Sequence, residues 1–214
     1  MARGKLFLIL ILFLHSCAEV IPLTGGDRDV FAPKPELGKQ LPEQGAIGFS
    51  GSELVVTFDE YFTLNDPAKT IEMNPSCGTI SVEQKNKTLR IKWSEALQTN
   101  TTYSLILDGS VVDLTEKNDT IHQFVFSTGL GIDTAQISGK CVDAFSNGLL
   151  GNCTIYLFEQ GENPKVDKPK FKTRSNKFGG FSFSYLPMNS TYDVFAFNDF
   201  NKNATWDINE KAAF

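Results

Sequence analysis

Histidine is almost missing from this chain. Of two in 214 residues, His15 lies in the N-terminal stretch and His122 stands alone in the rest. Charge relays and zinc sites that need several imidazoles are thereby nearly excluded. Cysteine is scarce as well: Cys17, Cys77, Cys141 and Cys153 are the only four and none has CxxC spacing, so no metal cluster is expected from them. The one strongly apolar run, Leu6 to Leu14, is about half of the ~20 residues a membrane-spanning helix requires. Phosphate-cradling glycine loops and a nucleophile elbow are absent, since Thr24-Gly25-Gly26 has neither a strand before it nor a helix after it. Positive charge is in deficit, at 20 Lys and Arg against 25 Asp and Glu. Residues 1–16 hold two of those cations and no acid, so the remainder carries 18 against 25, a net charge of −7. That sign argues against nucleic acid as a partner.

What is present begins with a leader. Arg3 and Lys5 open it, Leu6 to Leu14 form an apolar stretch, and Leu14-His15-Ser16-Cys17 ends it in the pattern of a lipoprotein cleavage and acylation point. Residues 1–16 are therefore expected to be a signal peptide and Cys17 the lipidated residue. The competing reading is an ordinary cysteine with cleavage nearby and a soluble secreted product. Each buried methylene adds ~0.8 kcal/mol of membrane affinity, so several palmitate-like chains on one residue give stable anchoring. Ala18 follows where an Asp would resemble an inner-membrane retention signal, which favours the outer membrane. The compartment beyond Cys17 is then extracytoplasmic and oxidising.

Residues 17–45, with Pro22, Pro33, Pro35 and Pro42, read as a tether too poor in apolar surface to fold alone. Beyond it the helical period is missing, and short β-rich segments recur between turn residues. A first group comprises Glu53 to Phe58, Thr79 to Val82, Thr88 to Trp93, Tyr103 to Leu107 and Gln123 to Ser127. In Thr88 to Trp93, Leu89, Ile91 and Trp93 share one face and Arg90 and Lys92 the other, a half-buried strand. A second group comprises Gln136 to Asp143, Cys153 to Phe158, Phe171 to Arg174, Gly180 to Tyr185 and Thr191 to Asn198. Lys177-Phe178-Gly179-Gly180 is a turn that should feed Phe181, Phe183 and Tyr185 onto one face. The expectation is all-β: two tandem antiparallel β-sandwiches over 46–130 and 135–214, with 18 phenylalanines to fill the cores. The apolar ending Ala212-Ala213-Phe214 suggests truncation within or just after the second.

Several of these segments have a family likeness. Ile21 to Asp29 resembles the stretch after the lipid cysteine in a family of Bacteroidota lipoproteins. Val56-Thr57-Phe58-Asp59-Glu60-Tyr61, Asn100-Thr101-Thr102-Tyr103, Asp113 to Asn118 and Phe124 to Gly129 resemble, in order, a bacterial Ig-like domain of the SbsA type. Residues 135–198, opening on Ile137-Ser138-Gly139-Lys140 and including Gly179-Gly180-Phe181, are similar more loosely to a carboxypeptidase-regulatory or Cna-B-type sandwich. The likeness implies scaffold modules and no catalysis. Asp59 and Glu60 do not change this, because adjacent strand residues point to opposite faces and cannot jointly flank one bond without a bulge.

One segment carries site chemistry. From Asp199 to Glu210, oxygen-bearing side chains fall at loop positions one, three, five, nine and twelve: Asp199, Asn201, Asn203, Asp207 and Glu210. Thr205 offers its carbonyl at position seven, so the spacing is that of a calcium loop. Ala204 stands where such loops have glycine, and a left-handed alanine costs ~1–2 kcal/mol. The plain alternative is a polar turn with Trp206 packed beneath it. Cys141 and Cys153 lie on successive strands and are compatible either with a disulfide or with two small buried thiols, while Cys77 reads as unpaired. The expected function is a non-enzymatic, lipid-anchored cell-envelope protein, a spacer or adhesion module with calcium as structural cofactor. Its expected partners are the membrane and an envelope protein or glycan. The alternative is a carbohydrate-binding accessory protein or a glycan-processing hydrolase, in which Tyr61, Phe62, Trp93 or Trp206 stacks on sugars.

Overall fold

The computed structural model describes residues 28–143, 145–197, 199–201 and 203–213. Cys17, the leader and most of the Ile21-to-Asp29 motif lie outside the described residues. The regular structure described is nearly all strand, in antiparallel sheets that form two sandwiches, as the patterning predicts.

The first sandwich holds β1 (Pro35–Leu41), β2 (Glu53–Phe58), β3 (Phe62–Leu64), the short helix α1 (Pro67–Thr70) and β4 (Ile71–Asn74). It continues with β5 (Ile80–Lys85), β6 (Thr88–Trp93), β7 (Thr102–Asp113) and β8 (Asp119–Ser127). One sheet runs β1-β2-β6-β5; in the other, β7 pairs with β8 on one side and with β3 and β4 on the other. Alternation builds the core between them. Leu89 and Ile91 are wholly buried and Trp93 is 6% exposed, as their shared face requires, and they meet Tyr103, Leu105 and Phe126 from the opposite sheet. Burial of this kind is the main source of stability, at about 25 cal/mol per Å² of apolar surface.

The tether needs correcting. Residues 35–41 of the expected linker are a strand, pairing Gln40 with Val56 and Leu41 with Val55. Proline composition hides this strand, yet proline is tolerated at the first residue of an edge strand, which is where Pro35 sits. Gly45 to Phe49 then bond to the end of β8, with Ala46 opposite Phe126 in parallel. The lead-in thus contributes to both sheets.

The second sandwich holds β9 (Ala135–Lys140), β10 (Thr154–Glu159), β11 (Phe171–Arg174), β12 (Gly180–Leu186), β13 (Tyr192–Phe197) and β14 (Ala212–Ala213). Its sheets run β11-β10-β13-β14 and β12-β9. The turn before β12 is made by Gly179 at φ +76°, with the Asn176 side chain accepting the N–H groups of Phe178 and Gly180. Phe181 and Phe183 face the core as expected, but Tyr185 does not continue the row. It adopts φ +63°, the pairing with β9 shifts between Phe183 and Leu186, and Leu186, at 1% exposed, takes the next core position. A bulge of this kind resets the period of two that the expectation assumed.

The two sandwiches touch through a polar clamp. The Asn74 amide donates to the Lys172 carbonyl at 2.8 Å and accepts the Lys172 N–H at 2.9 Å. The Lys172 ammonium lies 3.2 Å from Glu72. Burial pushes the Glu72 carboxyl above the usual carboxylate range, against the pull of Lys172.

A candidate cation loop on the second sandwich

Strand β10 reads Thr-Ile-Tyr-Leu-Phe-Glu and is buried on both faces. Ile155 and Leu157 point to the core between the sheets, while Tyr156 and Phe158 point outward into a second apolar cluster with Phe197. Phe195, Ala204 and Trp206 pack on that cluster, so the loop 199–210 roofs the outer face of the sheet. A polar loop covers this apolar face by turning its backbone N–H groups inward onto its own carboxylates.

The six predicted residues are brought into one turn. Asp199 accepts the N–H of Asn203 at 3.0 Å on one oxygen and that of Ala204 at 2.8 Å on the other. Asn201 accepts Asn203 N–H at 3.1 Å, and Asn203 accepts Thr205 N–H at 2.7 Å. Glu210, 7% exposed, closes the ring by accepting Phe200 N–H at 2.8 Å and Asp207 N–H at 3.1 Å on separate oxygens. The side-chain amides of Asn201 and Asn203 donate to Asp207 at 2.8 and 3.3 Å. The sharp turn falls on Ala204 at φ +57°, the position where the spacing asks for glycine.

Three neighbours escape sequence reasoning. Tyr156 donates its hydroxyl to Asp199 at 3.2 Å, Lys168 reaches the Asn203 carbonyl, and Lys165 lies 4.7 Å over the Trp206 ring. Tyr156 has a signal: alternation puts it on the opposite side of β10 from Ile155 and Leu157. The lysines have none, since they arrive from a distant loop. Among the described residues no group of three or more His, Cys, Asp or Glu is gathered closely enough to hold a metal. The loop's carboxylates are spread over backbone donors instead.

The remaining candidates are structural in their contacts. Asp59 lies past the end of β2 and accepts Lys34 N–H at 2.8 Å, fixing the start of the lead-in. Burial, and then Asp113, Asp59, Asp29 and Glu116, hold the Glu60 carboxyl above its ordinary range, in an acidic corner that Asp113 shares. His122 is buried between Phe58 and Phe124, its Nε2 lacks a hydrogen-bond partner, and burial lowers its pKa. The Cys77 thiol is 3% exposed, sits 3.1 Å from the Met73 sulfur, and is pushed up to about 12 by burial and then by Glu95. Neither offers a base or a nucleophile to a solvent-borne substrate. Of the aromatics proposed to stack on sugars, Phe62 and Trp93 are core residues at 2% and 6% exposure, and Trp206 lies beneath Lys165. Tyr61 is 55% exposed, under Lys87.

Fold and contacts define an antiparallel all-β protein built of stacked sheets. Within it, residues 32–128 match the family described as a bacterial Ig-like domain, and the second sandwich lies outside that match. Among solved structures the chain is similar to the N-terminal part of the bacterial S-layer protein SbsC, at 11% identity and a TM-score of 0.29, covering 76% of this chain and 43% of that one. It is also similar to BcpA, the major pilin subunit of Bacillus cereus, at 12% identity and a TM-score of 0.24, covering 71% and 55%. The chain thus spans about half the length of these structures, and likeness at that level carries no functional argument. No curated protein matches the chain.

Proposed function

We propose that this chain is a non-enzymatic, lipid-anchored protein of the Bacteroidota cell envelope whose sandwiches serve as a spacer or adhesion module. The observation that carries the reading is the Ig-like match over residues 32–128 in a chain whose only imidazole beyond the leader is buried among phenylalanines. Acylation at Cys17 sets the address, the outer membrane, and the partner is an envelope protein or glycan. The second module is of the carboxypeptidase-regulatory or Cna-B kind. In it calcium staples the loop 199–210 through Asp199, Asn201, Asn203, Asp207, Glu210 and the Thr205 carbonyl. The left-handed Ala204 supports that role, because the cost of the turn is already met before a cation arrives.

Two measurements test this. Replacing Cys17 with Ala should move the protein from the membrane fraction to the soluble one, and a variant that stays with membranes refutes the anchor. Calcium at ~10 mM, above the extracellular affinity range, should raise the melting temperature and change Trp206 fluorescence. A flat response removes the cation from the account.

A further inference from the structure

Cys141 follows β9 and Cys153 precedes β10, and the loop between them is pinned at its base. The N–H of Leu150 donates to the Cys141 carbonyl at 2.9 Å, and the Cys153 sulfur lies 3.6 Å from the Leu150 carbonyl. Outside the loop, Cys141 N–H donates to Gly179 at 2.8 Å and Cys153 N–H to the Ser175 hydroxyl at 2.9 Å. Both side chains are half-buried on the same cluster, formed by Ile155, Leu157, Phe171, Phe183 and Leu186. Both are free thiols in the structure, packed on that one cluster. Burial, then the charge and hydrogen bond of Cys153, push the Cys141 thiol up to about 11. The third cysteine cannot compete. Cys77 is sealed in the other sandwich against Met73.

We infer that Cys141 and Cys153 are a disulfide-forming pair that closes the loop 142–152 at its base. The oxidant is a disulfide donor, a protein or a small molecule. One cysteine thiolate attacks a donor sulfur, giving a mixed disulfide and releasing the first donor thiolate. The second cysteine loses its proton and attacks the mixed disulfide, forming the Cys141–Cys153 bond and releasing the other donor thiolate. Two electrons pass to the donor, which ends as two thiols, and the two cysteine protons end on them. The bond ties down a loop that displays apolar groups to solvent, Phe145 fully exposed and Leu149 at 53%. Its benefit comes from restricting that loop in the unfolded chain.

In the cell the pairing rests on the envelope location proposed above; in the purified protein it does not. The full chain with Cys17→Ser is equilibrated, folded, with oxidised glutathione and mapped by mass spectrometry. The expected result is one cross-linked peptide pair joining Cys141 to Cys153, lighter by two hydrogens, with Cys77 alkylated only after unfolding. Melting should rise by roughly 5 °C or more over the reduced form, and Cys141→Ser and Cys153→Ser should each abolish that dependence on reductant. Two thiols that stay alkylatable after equilibration, or a bond to Cys77, overturn the inference. The same mapping on the natural chain from cells separates the two ideas. A pair that closes in the tube but stays reduced in the cell refutes the location and leaves the pair standing.

Discussion

The two sandwiches solve the same packing problem in different ways. In the first, a single cluster is enclosed by two sheets, and Phe126 sits at its centre against Phe49, Trp93 and Tyr103, with ring centroids 5.0 to 5.8 Å apart. In the second, the apolar residues divide into two clusters, one between the sheets and one between a sheet and the loop 199–210. Sheets covering sheets need only alternation. A loop covering a sheet must also satisfy its own backbone, which is why carboxylates and asparagines are concentrated there. The first module's order rests on shape, the second's partly on polar contacts within one turn.

The largest expected effect is in the first core. Phe126→Ala should cost about 3–5 kcal/mol of that module's stability, read from denaturant unfolding. A loss under about 1 kcal/mol would break the contrast, since the cluster would then not be tightly enclosed. Glu210→Ala comes next. Two backbone donors lose their acceptor, so the second module should lose about 2–3 kcal/mol while the first is unaffected. A red shift of Trp206 fluorescence should accompany the loss, because Trp206 Nε1 donates to the Glu210 carbonyl at 3.0 Å. An unchanged spectrum would show that the roof does not depend on this ring of bonds.

The smallest effect concerns the clamp. Glu72 has a raised pKa in the folded chain, so the folded state binds its proton more tightly than the unfolded state. That contribution is fully present below the ordinary carboxylate pKa and is lost as pH rises through the raised value. Glu72→Gln should therefore gain stability relative to the natural protein as pH rises above the ordinary carboxylate pKa of about 4. Unfolding midpoints at several pH values give the answer, and a difference that shrinks with rising pH would mean that the pull of Lys172 outweighs burial.

Legibility in the sequence followed the strength of local pattern. Strands β2, β6 and β11 coincide with the expected segments because alternation or turn residues mark both ends. Strands β3 and β4 were not foreseen, being three and four residues long, too short for a period to register. Strand β7 outran its expected end because the bulge at Gly109, φ +64°, lets pairing resume at Val112 after the pattern breaks. That the oxygen-bearing side chains from Asp199 to Glu210 share one turn was legible from their spacing, whereas Tyr156 and Lys168 meet that turn only through folding.

The amide of Asn74 spends one donor and one acceptor on the outermost strand of the second sandwich, where a neighbouring molecule would otherwise find open backbone. Crowded copies of any β protein present many such borders to one another, and borders of this type are where chains zip together into aggregates. Here a single side chain closes part of that border from within the same polypeptide, so proximity to other copies does not by itself become polymerisation through it.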